Sequence, residues 1–163
     1  ITAMREKQLA VLRRTKISFV FQFFNLAPYL TVEQNILVPV FLAGRRKKSV
    51  SEKLDALLDL MGLSEWRNFL PSKLSGGEQQ RTAIARGLIF NPEVIFLDEP
   101  TGNLDSRNSE EIMKLLRRVN EEYGTTVIQV THSEQNAACG TRTITIKDGK
   151  ILSDNPVAER VGL

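Results

Sequence analysis

The stretch from residue 94 to residue 130 constrains the fold most, because it has the pattern of a strand, a helix and a second strand in succession. Residues 94–97 form a continuous apolar run that ends at Asp98, as expected of a parallel strand covered on both faces. Residues 106–123 place apolar side chains at helical spacing and stop at Gly124. A second buried strand is predicted over 126–130. This order indicates an α/β domain with a parallel sheet.

A helical pattern precedes this unit. Thr31 and Gln34 have the S/T-x-x-E/Q form of a capping box and predict a helix to about Ala43. Ser49 and Glu52 repeat that form before a second helix. The second helix carries apolar residues at i, i+3, i+4 and i+7 and ends at Gly62: Leu54, Leu57, Leu58 and Met61. The remaining expected elements are a helix over 4–14, a buried strand over 17–21, a loop around 25–29, a short helix after His132 and a hairpin of strands 142–147 and 150–153.

The composition bounds the class of protein. The 163 residues are 42% hydrophobic and 25% charged, as in an ordinary globular domain. A formal net charge of +3 is a small basic excess, so we predict no nucleic-acid partner. The single cysteine, Cys139, excludes an internal disulfide framework and favours a reducing compartment. No apolar run is long enough for a bilayer span or a signal peptide, and the first residue is Ile, so we expect a partial sequence.

The first chemical motif is Leu74-Ser75-Gly76-Gly77-Glu78-Gln79-Gln80-Arg81. Two glycines at a helix start expose backbone N–H groups to an anion, and Ser75 adds a hydroxyl donor. Ser-Gly-Gly alone is typical of an ordinary capped helix start. Eight specified positions, at about one in fifteen each, arise by chance on the order of once in 10⁹. We therefore predict an anion-binding helix start.

The second motif is the acid pair at the end of the central strand. Carboxylates at a strand's carboxyl end lie in the usual ligand crevice of an α/β sheet. Asp98 has the position of a Mg²⁺-holding aspartate, and Glu99 could orient or deprotonate an attacking water. Taken alone, two solvated acids at a strand end are equally common.

Together the two motifs resemble the signature and Walker B motifs of ABC transporter ATPases, and three further motifs follow in that family's order. Gln22 resembles the Q-loop glutamine, residues 101–105 resemble the D-loop, and His132 resembles the H-loop histidine. Asp105 also has the position of a helix N-cap. The resemblance covers about residues 12–152. Residues 19–26 and 100–105 look most like the group that exports macrolides or antimicrobial peptides, or releases lipoproteins.

The resemblance implies a P-loop NTPase-like α/β fold that lacks its P-loop strand. Residues 1–30 and 91–153 would be the catalytic core, 31–73 the start of a helical subdomain extending to about 90, and 154–163 a tail, expected to be mobile from 155 onward.

The implied cofactors are ATP and Mg²⁺, with Glu99, His132 and Gln22 catalytic and with Asp98 and Gln22 at the metal. Ser75, Gly76, Gly77 and Glu78 would contact the ATP of a second, head-to-tail ATPase subunit, with Asp105 at the dimer seam. The other implied partner is a transmembrane permease at the cytoplasmic face of the plasma membrane, docked near residues 23–40.

The sequence contains no phosphate-binding loop of the form G-x-x-x-x-G-K-[ST]. Because that loop supplies most β- and γ-phosphate contacts, we expect this chain alone to hydrolyse no ATP. The family places the missing strand between the strand ending near His132 and the hairpin, so we also expect unpaired edges and a tendency to aggregate. A mechanical ATPase of the cell-division type and a non-functional remnant are the alternative interpretations.

Overall fold

Two hydrogen-bonded sheets organise residues 4–157, the part of the chain that the computed structural model describes. The first contains parallel strands β1 (Ile17–Val20), β2 (Val94–Asp98) and β3 (Thr126–Val130) in that order. Ile17 lies opposite Val94, and Val94 lies opposite Thr126. The second is an antiparallel hairpin of β4 (Arg142–Lys147) and β5 (Lys150–Pro156). The predicted α/β class is confirmed.

Six α-helices accompany these strands within residues 4–157: α1 (Glu6–Thr15), α2 (Val32–Leu42), α3 (Ser51–Leu60), α4 (Gly76–Leu88), α5 (Ser106–Tyr123) and α6 (Glu134–Ala137). Helix α2 packs on α4, and α4 packs on both β1 and α5. One hydrophobic core therefore runs from the helical unit to the sheet, through Ile36, Leu57, Ile84, Ile95 and Ile112, all inaccessible to solvent. None of the helices among the described residues combines the length and the apolar character that crossing a membrane requires.

Local sequence signals set most helix ends. The Thr31 hydroxyl accepts a hydrogen bond from the Gln34 N–H, and the Gln34 side chain accepts one from the Thr31 N–H, as the capping box predicted. Helix α5 has the predicted bounds, with Asp105 at its N-cap and Gly124 in a left-handed conformation at its end. Gly62 likewise has a φ of 62° after α3.

The second predicted capping box is wrong. Residues 47–50 form a short 3₁₀ helix, and α3 begins only at Ser51, with Val50 in the capping position. The Ser49 hydroxyl donates to the Arg46 carbonyl at 2.7 Å, so it does not cap the next helix.

The strands are less covered than predicted. Ile95 and Leu97 of β2 are buried, whereas Val94 and Phe96 on the other face are only half-buried. On β3, Val130 is 61% exposed, and in β1 only Val20 is buried. The helices cover one face of the sheet. On the other face, the rings of Phe19 and Phe96 stack at 5.2 Å and lie open to solvent or half-buried.

The hairpin is longer than predicted. Asp148 and Gly149 both have positive φ, as the two-residue turn requires. Strand β5 continues through Asn155 and Pro156, so the stretch predicted to lack structure from 155 begins inside a strand. Residues 158–163 of that predicted tail lie outside the described residues.

Candidate functional site

The carboxyl ends of β1, β2 and β3 meet at one edge of the sheet and bring the predicted catalytic residues together. Gln22 and His132 each lie two residues after the end of a strand, β1 and β3, while Asp98 is the last residue of β2 and Glu99 follows it. Because the three strands are parallel and paired side by side, these residues lie at the same edge of the sheet. A Cβ atom added to Gly102 would lie 3.0 Å from Gln22 Nε2 and 3.4 Å from Glu99 Cβ, so this glycine fits between the two side chains.

Glu99 is held by the loop that follows β3. Its backbone N–H donates to the Val130 carbonyl at 3.0 Å, and its φ of 44° is uncommon for a glutamate. Its carboxylate accepts hydrogen bonds from the His132 N–H at 2.7 Å and from the Thr131 hydroxyl at 3.3 Å. The carboxylate therefore has a fixed orientation at the strand end while its side chain stays 18% exposed.

His132 presents its ring to solvent. Its Nε2 lies 3.7 Å from Glu99 Oε1, and its side chain is 97% exposed. Among the described residues none buries the imidazole, so its ring stays open to solvent at the strand ends.

The donor set at the strand ends suits Mg²⁺. Asp98 is exposed at the end of β2, and Gln22 follows β1, the neighbouring strand of the sheet. Among the described residues, no three His, Cys, Asp or Glu side chains cluster as a metal cage would require. Mg²⁺ characteristically takes one or two protein carboxylates together with substrate phosphates and water. The residues present fit a metal that arrives with a nucleotide.

The turn at residues 101–105 links the strand ends to α5. Asn103 Nδ2 donates to the Gln22 carbonyl at 3.1 Å, which ties this turn to the loop after β1. Asp105 accepts hydrogen bonds from the Asn108 backbone N–H at 2.8 Å and from its side chain at 2.7 Å. These bonds lower the pKa of Asp105, first through the backbone donor and then through the side chain. The N-cap role of Asp105 is confirmed, and its place at a dimer seam stays a prediction.

The glycine-rich segment starts α4 and packs against the start of α5. Ser75 is the N-cap, and Glu78 closes a capping box by accepting from the Ser75 N–H at 2.7 Å. A Cβ atom on Gly77 would lie 2.2 Å from Asn108 Oδ1, whereas one on Gly76 would lie 3.2 Å from a Leu104 methyl group. Close packing against Asn108 therefore requires a glycine at position 77.

Comparisons with known proteins show the family of this chain. A family model described as ABC transporter matches residues 2–102. The lipoprotein-releasing system ATP-binding protein LolD of Bacteroides fragilis is 44% identical over 152 residues, which are 93% of this chain and 70% of that protein. The chain belongs to the ABC transporter ATPase family.

Other relatives of this ABC ATPase chain are longer. The macrolide export ATP-binding/permease protein MacB of Syntrophobacter fumaroxidans is 50% identical over 88% of this chain, but the match is 20% of that protein. The match to LolD of Aquifex aeolicus is 45% identical and covers 91% of this chain and 66% of that protein. The chain thus spans about a fifth to two thirds of the length of these relatives. Among solved structures, the dimeric cassette MJ0796 bound to ADP and Pi matches with a TM-score of 0.82 and 40% identity, over 96% of this chain and 69% of that one.

Two polar residues of this ABC ATPase chain, one buried and one half-buried, hold the segment after β1. No role was predicted for Asn35 or Arg86 from the sequence. Asn35 is fully buried in α2 and bonds the backbone of residues 27–31, while Arg86 in α4 bonds the backbone of Phe24 and Asn25. The available signal was weak: Arg86 follows the apolar run Ala83-Ile84-Ala85, and Asn35 stands between polar Gln34 and apolar Ile36.

Proposed function

We propose that the complete subunit containing this chain hydrolyses ATP and drives a transmembrane permease in export or membrane extraction of a substrate. The observation that carries the proposal is the meeting of Gln22, Asp98, Glu99 and His132 at the ends of three parallel strands. The names of the MacB and LolD relatives, which refer to macrolide export and lipoprotein release, support transport out of the cell or the membrane.

Each strand-end residue has a chemical role in this proposal. Glu99, oriented by the Thr131 hydroxyl and the His132 N–H, accepts the proton of the attacking water. His132 donates a hydrogen bond to the γ-phosphate, and Asp98 and Gln22 hold Mg²⁺. When bound, Mg²⁺ neutralises charge on the phosphate oxygens. Asn103 keeps Gln22 in reach of Glu99 through its bond to the Gln22 carbonyl.

The start of α4 serves the second active site of a dimer. Gly76 and Gly77 place backbone N–H groups at a helix N-terminus, where an anion is favoured. The Ser75 hydroxyl donates to Glu78 Oε2 at 2.8 Å in this chain and would turn to the anion when it binds. In a head-to-tail dimer these groups and Glu78 would contact the γ-phosphate bound by the partner subunit, with Asp105 at the seam. Dimeric structures of the MJ0796 cassette support this assembly.

The membrane partner docks on the loop after β1 and the start of α2. Phe23 is 73% exposed and Tyr29 is 90% exposed. Phe23 directly follows Gln22, which would respond to the bound nucleotide. Such apolar exposure is typical of a surface that another protein covers. The subunit would then lie peripherally on the cytoplasmic face of the membrane.

The phosphate-binding loop is absent from these 163 residues, so ATP binding belongs to the complete subunit. The uncovered sheet face around Phe19, Phe96 and Val130 supports this division, because a complete cassette would cover it. We expect the isolated chain to hydrolyse no ATP. Turnover by the isolated chain that Glu99→Gln abolishes would contradict this division.

The test uses the complete subunit, expressed from the gene that encodes this sequence. We expect Mg²⁺-dependent ATP hydrolysis, a loss of about 10²- to 10⁴-fold in Glu99→Gln, and ATP retained on that variant. Glu110→Gln, which changes an exposed glutamate paired with Lys114 on α5, is the matched control and should hydrolyse normally. Normal turnover by Glu99→Gln would remove Glu99 as the base, and absence of hydrolysis in the unaltered subunit would refute the proposed function.

A further inference from the structure

Arg86 links helix α4, which begins with the glycine-rich segment, to the loop after Gln22. It lies on α4, ten positions after Gly76, and its guanidinium group reaches the loop that follows Gln22. Arg86 Nη2 donates to the Phe24 carbonyl at 2.9 Å, and Nη1 donates to the Asn25 carbonyl at 2.6 Å. A planar guanidinium that binds two successive carbonyls fixes their direction as well as their position.

The loop that Arg86 holds has an unfavourable backbone conformation. Phe24 has a φ of 20° and Asn25 a φ of 48°, values that residues other than glycine seldom adopt. Such conformations persist only where surrounding contacts impose them. The two hydrogen bonds from Arg86 are contacts of this kind, two residues after Gln22.

Phe24 also touches the other end of α4. A Cβ atom on Gly76 would lie 3.9 Å from Phe24 Cζ, so the Phe24 ring borders the start of the helix while its carbonyl binds Arg86. Ten residues of α-helix span about 15 Å, and the helix is continuous between these contacts. A displacement of the loop therefore has to move α4, or break both contacts.

We propose that Arg86 is a positioning residue that couples the loop after Gln22 to helix α4, so that ATP bound in one active centre aligns the donors offered to the other. This inference rests on the proposed function, in which Gln22 acts on the subunit's own ATP and Gly76 on the partner's. Because the two centres of a dimer are then linked through two copies of Arg86, hydrolysis depends cooperatively on ATP concentration.

The test compares Arg86→Gln and Arg86→Lys in the complete ATPase subunit. Arg118→Lys is the control, since Arg118 forms an exposed ion pair with Glu122 on α5. Hydrogen exchange of residues 22–27 should rise about tenfold or more in Arg86→Gln, as expected for lost hydrogen bonds to a charged donor, and should be unchanged in the control. Arg86→Lys keeps the positive charge but loses the planar group that bonds two carbonyls at once, so hydrogen exchange should rise by an intermediate amount.

The functional readout is the Hill coefficient for ATP hydrolysis. We expect it to fall from a value above one towards one in Arg86→Gln, with kcat reduced, while single-site ATP affinity in the Glu99→Gln background stays within about threefold. If Arg86 were only structural, its substitution would lower the amount of active protein and leave the Hill coefficient unchanged. If Arg86→Gln does not fold, Arg86→Lys carries both measurements.

Either of two results in the Arg86 variants would overturn the coupling: unchanged exchange of residues 22–27 in both variants, or faster exchange with a Hill coefficient equal to that of the unaltered subunit. Hydrolysis without cooperativity in the unaltered subunit would also overturn it. If the unaltered subunit hydrolyses no ATP, the proposed function itself fails, and the coupling fails with it. Cooperative hydrolysis that persists in the Arg86 variants defeats the coupling alone.

Discussion

Replacing Asn35 by alanine should destabilise the complete subunit more than any other single asparagine change among those compared below. The Asn35 side chain is inaccessible to solvent and bonds one short stretch of backbone from both ends of its amide. Its Oδ1 accepts from the Ala27 N–H at 2.8 Å, and its Nδ2 lies within 3.1 Å of the carbonyls of Ala27, Leu30 and Thr31. It thereby fixes residues 27–31, which connect the loop after Gln22 to α2.

The magnitude follows from the groups that would lose their partners. The Ala27 carbonyl also accepts from the Leu30 N–H, and the Thr31 carbonyl also accepts from the Asn35 N–H, so both keep a bond in Asn35→Ala. The Ala27 N–H and the Leu30 carbonyl have no such second partner among the bonds of the described residues. Two half-buried polar groups left unpaired cost about 1–2.5 kcal/mol each, the lower part of the range for buried groups, so we expect a loss of about 2–5 kcal/mol.

Chemical and thermal unfolding of the complete subunit measure this loss. For a protein of this size class, 1 kcal/mol corresponds to about 2–4 °C, so the melting temperature should fall by roughly 5–15 °C. Asn120→Ala, which removes a single bond to the Thr125 carbonyl, should cost about 1 kcal/mol, and exposed Asn155→Ala should cost almost nothing. Asn35→Asp should be no better than Asn35→Ala, because it places a carboxylate against three carbonyl oxygens. A cost below about 0.5 kcal/mol for Asn35→Ala would refute the reasoning.

Two further predictions concern the contact between α4 and α5. Gly77→Ala should cost about 1–3 kcal/mol because its methyl group would collide with Asn108, whereas Gly76→Ala, which meets only a movable Leu104 methyl group, should change the free energy of unfolding by less than about 1 kcal/mol. Equal melting temperatures for the two glycine variants would contradict the packing argument. The pKa of Asp105 is lowered in the folded state, so its contribution to stability is present above its unfolded pKa, about 3.9, and is lost as the pH falls through the folded value. Acid unfolding should therefore show the advantage of the unaltered subunit over Asp105→Asn shrinking as the pH falls below about 4, and a constant difference would show that the cap does not titrate.

Features that depend on neighbouring residues could be predicted from the sequence. The bounds of α5 follow from Asp105, which caps the first turn, and from Gly124, which accepts the left-handed conformation at the end. The hairpin turn at Asp148 and Gly149 is set by two residues that tolerate positive φ. The capping box of Thr31 and Gln34 formed as expected, but that of Ser49 did not, because the Ser49 hydroxyl bonds the Arg46 carbonyl. A local pattern fails where the same side chain has a second local partner.

Burial could not be predicted from the strands alone. The apolar runs of β2 and β3 indicate strands covered on both faces, but Ile128 and Val130 are exposed and only the face towards α4 and α5 is closed. Apolar side chains on a strand indicate that both faces are covered in a complete fold, but the described residues supply a cover for only one face.

The sequence by itself determined the family and predicted the chemistry of the site, because the glycine-rich helix start, the acid pair, Gln22 and His132 are read in order along the chain. Only the tertiary structure decided how these residues are held. Glu99 is oriented by Thr131 and the His132 backbone, Gln22 by Asn103, and the loop after Gln22 by Asn35 and Arg86. The difference has a physical reason. Spacing along the chain determines which residues share a face or an end of one helix or strand. Hydrogen bonds between distant segments form only when packing brings the donor and the acceptor within about 3 Å of one another.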